Sequence, residues 1–153
     1  MVDIANENST ISASVSVVSP RFSDNASIQA LRKQDGLYHV ILEGVQGGKP
    51  TREIRLVKSI EQVLSPKVDA AAYEECITHP DLKLVISNTT EAGIRYEKED
   101  VTVDYPATFP GKVTNLLYKR YNKYNGDKQR GLTFVCCELI EDNGAKLMEC
   151  VMR

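Results

Sequence analysis

Residues 82–93 read LKLVISNTTEAG, a nearly continuous apolar run that changes abruptly to polar residues after Ile86. A short run of this kind is typical of a parallel strand that is covered on both faces. In open α/β sheets, ligands bind beyond the carboxyl ends of the strands. The polar residues 87–93 therefore mark one edge of a predicted binding site.

Strands and helices alternate on both sides of this run. The predicted helices cover 1–8, 25–34, 70–77, a long segment that opens at 106–110 and ends before 125, and the stretch after 144. The predicted strands cover 12–18, 82–87 and 132–137, and a hairpin joins 37–45 to 51–60 around a Gly-Gly turn. This order predicts an α/β layered fold with right-handed crossovers and an inserted hairpin.

The composition predicts one ordinary globular domain. A chain of 153 residues with 42% hydrophobic and 26% charged residues has the size of a single core. The net charge of −2 offers no electrostatic reason to expect nucleic acid or an anionic membrane as a partner. No apolar run is long enough for a membrane span, and the first residues do not resemble a secretory signal, so a cytoplasmic location is predicted.

The four cysteines do not have the spacing of a metal site. Cys136 and Cys137 are adjacent, and no Cys-x-x-Cys pair occurs. We expect buried free thiols and no metal.

The first candidate site is the polar segment that follows the apolar strand, Asn88, Thr89, Thr90 and Glu91, ending at Gly93. Hydroxyl groups, an amide and backbone N–H donors at a strand end are suited to a ribose or a pyrophosphate. The alternative is a polar loop that caps the next element of secondary structure.

The second candidate site is CELIEDNG at 137–144, which follows the strand predicted at 132–137. Glu138 would emerge at the same edge of the sheet, and the amide of Asn143 could donate to a substrate oxygen. The alternative, which the spacing favours, is a turn in which Asp142 or Asn143 caps the last helix.

The long helix contains YKRYNKY at 118–124, a basic segment with tyrosines at every third position. Such a segment can bind nucleic acid. We favour a structural explanation, in which the three tyrosines pack against the sheet while Lys119 and Lys123 are solvated.

Several of these segments resemble the mannitol dehydrogenase family of long-chain polyol dehydrogenases. The resemblance covers nearly the whole chain in order. It is carried by residues 88–94, by 109–112 with 116–118, and by 137–140 with 143–144, and residues 34–38 and 80–82 fit as well. It implies a Rossmann-type N-terminal domain and NAD-linked reduction of a keto-uronic acid.

The resemblance also implies roles for the candidate residues. Residues 88–91 would contact the dinucleotide, and Glu138 and Asn143 would lie on the substrate side, with Asn143 as a donor to the carbonyl oxygen. The family's first strand with its Gly-x-Gly turn, and its catalytic Lys, Asn and His, have no counterpart here. We therefore expect residues 1–153 to be one truncated domain, an internal fragment without catalytic residues of its own.

The choice between NAD and NADP depends on the end of the second strand of a Rossmann fold, where NAD-binding proteins carry an acidic residue. Here Val18 is followed by Ser19, Pro20 and Arg21, and Asp24 is the nearest acid. Arg21 suits a 2′-phosphate. NAD is the first choice because the resemblance implies it, and NADP is the alternative.

Two further expectations complete the sequence-based picture. A non-catalytic α/β module that binds a nucleotide or a partner is the alternative to an oxidoreductase fragment. A Rossmann sheet without its central first strand would leave the strands at 15–18 and 82–86 with unpaired edges, so we expect aggregation or self-association through that slot.

Overall fold

The computed structural model describes residues 1–20 and 25–153. These residues form two compact units, Met1–Tyr73 and Glu74–Arg153. Both units mix helices with strands, in agreement with the predicted α/β class. The assignment of residues 1–153 to one truncated domain stays a prediction.

The first unit contains two helices and four strands, and a third helix begins near its end. In chain order they are α1 (Val2–Glu7), β1 (Val15–Val18), α2 (Ala26–Lys33), β2 (Tyr38–Gln46), β3 (Lys49–Val57), β4 (Ile60–Leu64) and α3 (Ala70–Ile77). Strands β2 and β3 form the predicted antiparallel hairpin. Gly47 and Gly48 both have positive φ angles, 58° and 75°, as a two-residue turn that matches the strand twist requires.

Strand β4 was not predicted, because the predicted hairpin arm ran from 51 to 60 without a break. The chain instead leaves the hairpin after Val57, and β4 pairs in parallel with β1. The backbone N–H of Lys58 donates to the Asp3 carboxylate (2.8 Å) at this point, and Val15 N–H donates to the carbonyl of Ser59 (2.8 Å). No glycine or proline marks the break, since long-range hydrogen bonds determine it.

Helix α2 confirms the predicted boundaries. The Asn25 side chain accepts a hydrogen bond from Ile28 N–H (3.1 Å) and caps the first turn. The chain turns after α2 at Gly36, whose φ is 78° and where an added Cβ would lie 2.5 Å from the carbonyl oxygen of Ile60. The carboxylate of Asp69, which immediately precedes α3, accepts from the Arg32 guanidinium (2.7 and 3.0 Å) and from Ser65 N–H (2.9 Å).

The second unit contains one parallel strand pair and two helices. Its elements are β5 (Leu84–Ser87), α4 (Phe109–Tyr124), β6 (Thr133–Cys136) and α5 (Asn143–Met152), with short 3₁₀ turns at Glu91–Gly93 and Lys128–Arg130. Strands β5 and β6 pair in parallel, with Ser87 opposite Cys136. Ile94, Val113 and Leu147 form the buried core of this unit.

The prediction that β5 is covered on both faces is wrong for the described residues. Leu84 is 47% exposed and Ile86 is 61% exposed, and Val135, opposite Ile86, is 41% exposed. A largely apolar run indicates that burial of its side chains is favourable, but it does not show whether another part of the chain covers them.

Helix α4 begins within the predicted opening at 106–110, but it presents its side chains differently from the prediction. The Thr108 side chain accepts from Gly111 N–H (3.0 Å), which makes Thr108 the cap. Tyr118 and Tyr121 are 49% and 65% exposed, whereas Lys119 forms an ion pair with Glu74 (2.6 Å). The predicted packing of three tyrosines on the sheet is therefore wrong.

The geometry of the helix explains this result. Each step of three residues turns back by about 60°, so residues 118, 121 and 124 spread across the helix surface instead of sharing one face. The buried residue in this part of the helix is Arg120, which is 3% exposed. Tyr124 directs its hydroxyl to the carbonyl of Thr78 (2.5 Å), and Lys123 donates to the Thr78 hydroxyl (3.0 Å).

Among residues 1–20 and 25–153, no helix combines the length and the apolar character needed to cross a membrane.

Candidate functional site

The two predicted site segments leave the same end of the β5–β6 pair. Because the strands are parallel, both chains exit at their carboxyl ends, next to each other. Cys137 N–H donates to the carbonyl of Ser87 (2.8 Å) and extends the pairing by one residue beyond the strands. The prediction that residues 88–91 follow the carboxyl end of a parallel strand is confirmed.

Glu138 connects the two exits. Its Oε1 accepts the backbone N–H of Thr89 (3.0 Å) and lies 3.3 Å from Thr89 Oγ1. The residue is only 3% exposed. Within the described part of the chain, Glu138 Oε2 and Ser87 Oγ are buried atoms without a partner of hydrogen-bonding geometry.

The environment of Glu138 lowers its pKa. Burial acts in the opposite direction, since it raises the pKa of a carboxyl. The hydrogen bonds from the backbone of Thr89 and of Glu138 itself, together with the nearby hydroxyls of Ser87 and Thr89, outweigh burial and bring the pKa below its usual range. Glu138 is therefore ionised at neutral pH.

This lowered pKa makes a testable contribution to stability. A carboxyl with a lower pKa in the folded state stabilises the fold above its ordinary pKa of 4.5, and that contribution disappears as the pH falls through the folded-state value. The difference in unfolding free energy between the wild type and Glu138→Gln, which cannot titrate, should shrink below about pH 4.5. Urea unfolding at a series of pH values measures it, and a difference that does not change with pH would contradict the expectation.

The remaining residues of the first segment form a tight loop. Asn88 and Thr90 are exposed, and Thr89 is partly buried. Gly93 N–H donates to the carbonyl of Thr90 (2.7 Å), which closes the 3₁₀ turn that begins at Glu91. The exposed amide and hydroxyl are therefore presented beside the turn.

Gly93 packs directly against Thr89, so Gly93→Ala should disturb the loop. An added Cβ would overlap Thr89 Oγ1 and lie 2.8 Å from Thr89 Cβ, a distance that rotation of the hydroxyl cannot relieve. We expect a loss of about 1–3 kcal/mol of unfolding free energy. Gly144→Ala is the matched control, because its Cβ would meet no atom within 4 Å and alanine is the better helix former. Thermal unfolding compares the two variants, and equal stabilities would refute the steric argument.

Asn143 lies at the start of α5 and is tied to the exit of β6. Its Nδ2 donates to the carbonyls of Cys136 (2.9 Å) and Glu138 (3.1 Å), and its Oδ1 accepts Gly144 N–H (2.7 Å). Asp142 precedes the helix and forms no side-chain cap hydrogen bond. Both amide hydrogens of Asn143 are thus engaged by the backbone, so donation to a ligand would require one of them to exchange partners.

Sequence reasoning did not single out Glu99, although this residue organises the start of α4. Its carboxylate accepts the N–H groups of Ala107 (2.6 Å) and Thr108 (3.2 Å) and also the Thr108 hydroxyl. Burial raises the pKa of Glu99, but these hydrogen bonds outweigh it and the pKa lies below its usual range. A carboxylate eight or nine residues before its partners, in a segment without regular structure, has no local signal.

Two sequence-based observations fall outside the residues that the structure describes. Arg21 and Asp24, on which the choice between NADP and NAD depended, belong to the segment 21–24.

In the described ranges, no group of three or more His, Cys, Asp or Glu side chains is placed to hold a metal ion.

Comparison with known proteins adds an independent finding. Residues 4–153 match the family model described as the mannitol dehydrogenase Rossmann domain. Over 152 residues, the chain is 41% identical to altronate oxidoreductase of Bacillus subtilis (strain 168), and it is 39% identical over 147 residues to the altronate oxidoreductase of Bacteroides thetaiotaomicron. The matches cover 99% and 95% of this chain but only 31% and 30% of those proteins, so the chain spans about three tenths of their length.

Solved structures agree on the fold. The mannitol 2-dehydrogenase of Pseudomonas fluorescens, in a ternary complex with NAD and D-mannitol, superposes with a TM-score of 0.70 at 21% identity over 91% of this chain and 30% of that one. A substrate-free D-sorbitol dehydrogenase superposes with a TM-score of 0.67 at 20% identity over 91% and 31%. The predicted Rossmann-type fold is confirmed.

Proposed function

The chain belongs to the mannitol dehydrogenase family and lies within its Rossmann domain, and from this premise we propose that it is the dinucleotide-binding part of a tagaturonate reductase (altronate oxidoreductase). Such a protein interconverts tagaturonate and altronate with NADH in hexuronate metabolism. The identity of 36–41% to altronate oxidoreductases over nearly all of this chain carries the proposal. A cytoplasmic location goes with it, since NADH is a cytoplasmic reductant.

NAD is the proposed cofactor, and residues Asn88, Thr89, Thr90 and Glu91 are proposed to contact it. The Rossmann family and the NAD-bound Pseudomonas fluorescens relative support this choice. The chemistry of the strand exits fits a dinucleotide in part: exposed amide and hydroxyl groups suit ribose hydroxyls, whereas the ionised Glu138 disfavours a phosphate beside it. The bound nicotinamide would supply the hydride.

Glu138 and Asn143 are proposed to form the substrate side of the same edge, with Asn143 as the residue of the two that contacts the substrate. A keto-uronic acid presents a carbonyl oxygen that becomes negatively charged as the hydride arrives, and an amide N–H is a suitable donor to it. The alkoxide that results also needs a proton. Glu138 is ionised at neutral pH and cannot supply it, so we place the proton donor of the whole protein outside the six proposed site residues.

A titration of the chain with NADH tests the cofactor proposal. Calorimetry measures the binding, and the NMR signals of the Thr89 and Thr90 amides report where it occurs. We expect saturable binding that shifts both amide signals. NADPH should bind at least about tenfold more weakly, as expected of a site that uses NAD. The proposal fails if neither dinucleotide perturbs these amides, and tighter binding of NADPH would replace NAD by the alternative cofactor. Turnover of NADH with tagaturonate is not expected from these residues alone.

Self-association is also proposed, because β1 and β5 each have a free edge. Among the described residues, β1 pairs only with β4 and β5 pairs only with β6, which leaves a row of unpaired backbone groups on each. Unpaired edges next to apolar side chains recruit other strands. Sedimentation equilibrium should show dimers or larger species at micromolar concentrations, and a strictly monomeric chain would refute the proposal.

A further inference from the structure

The Glu138 carboxylate is hydrogen-bonded to one residue of the neighbouring strand exit, Thr89. Its Oε1 meets both the backbone N–H and the hydroxyl of Thr89, at 3.0 and 3.3 Å. The two residues are separated by 49 positions in sequence, and each lies two residues beyond the last pair of the parallel strands, Ser87 and Cys136. This side chain therefore connects the β6 exit to the β5 exit where backbone pairing has ended.

Glu138 is itself held from the β6 side. The Asn143 amide donates to the carbonyl of Glu138 and to the carbonyl of Cys136, at 3.1 and 2.9 Å. Cys137 N–H, between them, still pairs with Ser87. Hydrogen bonds therefore hold the backbone at Glu138 and at the two residues before it, and they fix the position from which its side chain extends.

Thr89 is confined from the opposite direction. Gly93 approaches it so closely that even a methyl group at position 93 would overlap it. Thr89 therefore lies between the Glu138 carboxylate and the turn at Glu91–Gly93. Movement of Thr89 would carry the exposed groups of Asn88 and Thr90 with it, because they are its chain neighbours.

The burial of Glu138 argues against direct recognition of a substrate. A side chain that is 3% exposed, with Oε1 engaged by Thr89 and Oε2 buried, presents no oxygen to a ligand that arrives from solvent. The Ser87 hydroxyl lies near enough to contribute to the lower pKa of Glu138, although its geometry is not that of a hydrogen bond. A glutamine at 138 could accept from Thr89 through its oxygen and direct its NH₂ toward Ser87.

We propose that Glu138 is a positioning residue, which holds the loop 88–93 in its binding conformation through Thr89 and does not touch the substrate. Its effect on the dinucleotide rests on the proposed function above, whereas its effect on the loop does not. The proposal predicts that glutamine, which keeps the acceptor, replaces glutamate well and that alanine does not. A group that used its charge on a ligand would be damaged by both substitutions.

The test compares Glu138→Ala, Glu138→Gln and Thr89→Val, with Glu141→Ala as the matched control. Glu141 is an exposed acidic residue in the same turn. Amide hydrogen exchange at residue 89, measured by NMR, reports on the loop without any ligand, and calorimetry with NADH reports on binding.

In Glu138→Ala, exchange at residue 89 should be at least about tenfold faster and NADH binding at least about tenfold weaker, since a hydrogen bond to a charged group is lost. Glu138→Gln, which keeps a neutral hydrogen bond to Thr89, should show clearly smaller changes than Glu138→Ala in both measurements, and Glu141→Ala should remain within about threefold of the wild type. If the alanine variant does not fold, Thr89→Val still tests the contact, because it removes the hydroxyl that Glu138 accepts and should speed exchange at the same amide.

Unchanged exchange at residue 89 in Glu138→Ala would overturn the positioning role. Loss of NADH binding in Glu138→Gln, with exchange at residue 89 unaltered, would also overturn it in favour of a direct contact. A wild-type chain that binds no NADH would refute the proposed cofactor, while the exchange comparison would still decide whether Glu138 positions the loop.

Discussion

Replacement of Arg120 by methionine should lower the free energy of unfolding by about 3 kcal/mol. Arg120 is 3% exposed, and its guanidinium donates to the carbonyls of Ile77 (2.9 Å), His79 (2.8 Å) and Arg130 (2.9 Å). The Ile77 carbonyl lies at the end of α3 and the Arg130 carbonyl at the end of the 3₁₀ turn, whereas the His79 carbonyl also accepts Leu82 N–H (3.2 Å). The arginine therefore adds charged donors to carbonyls at the ends of these elements and in the turn that follows α3.

The magnitude follows from two opposing effects. Each buried carbonyl that loses its donor costs about 1–3 kcal/mol. Methionine recovers part of this loss, because burial of the guanidinium is itself unfavourable, as the lowered pKa of Arg120 indicates. Three carbonyls lose a donor while only one buried charge is removed, so the net effect on the free energy of unfolding is destabilising. A loss of this size is a large fraction of the roughly 5–15 kcal/mol that stabilises a domain.

Urea unfolding measures the change, with Arg52→Met as the control. Arg52 pairs with Glu43 on the exposed hairpin, where its side chain is 61% exposed, so its replacement should cost less than about 1 kcal/mol. Arg120→Lys should fall between the two, because an ammonium keeps the charge but cannot span three carbonyls. Equal stabilities of Arg120→Met and Arg52→Met would show that the buried arginine does not hold these segments.

Replacement of Asn143 by alanine should lower kcat of the complete enzyme by roughly two to three orders of magnitude, with a smaller change in KM. This result is expected if the Asn143 amide donates to the carbonyl oxygen of the substrate as negative charge develops there. In the structure, the same amide holds the carbonyls of Cys136 and Glu138. The substitution therefore removes both a proposed donor and an observed anchor.

Steady-state kinetics and thermal unfolding together separate these two roles. Asn143→Asp keeps the size and the oxygen that accepts Gly144 N–H but has no hydrogens to donate, so it should lose activity to a similar extent. Glu141→Gln, an exposed neighbour, should keep both activity and stability. An unchanged kcat with a lower Tm in Asn143→Ala would show that the residue is only a structural anchor.

The predictions that succeeded from sequence rest on local chemistry. A Gly-Gly pair between alternating strands indicates the hairpin, since both turn residues need a positive φ. The helix predicted at 25–34 is α2, and the long helix predicted to open at 106–110 is α4, whose first residue is Phe109. The family was also predicted correctly, and residues 4–153 match its Rossmann-domain model.

The predictions that failed concern long-range placement. The alternating pattern runs from the hairpin into β4 without interruption, and only the contact of Lys58 N–H with Asp3 reveals the break. The spacing of the α4 tyrosines, three residues apart, favours one apolar face of the helix, yet the buried position is Arg120. Neither result follows from residues that are neighbours in sequence.

The sequence by itself determined the helices, the turns and every strand except β4, and it showed that polar residues follow the two parallel strands, because backbone preferences and caps act over three or four residues. Only the tertiary structure decided that Glu138 meets Thr89, that Asn143 holds the exit of β6, and that Arg120 supports carbonyls from two separate segments. These contacts join residues up to 49 positions apart, and a side chain's partners at that separation depend on how the strands pair and on which groups burial leaves without water.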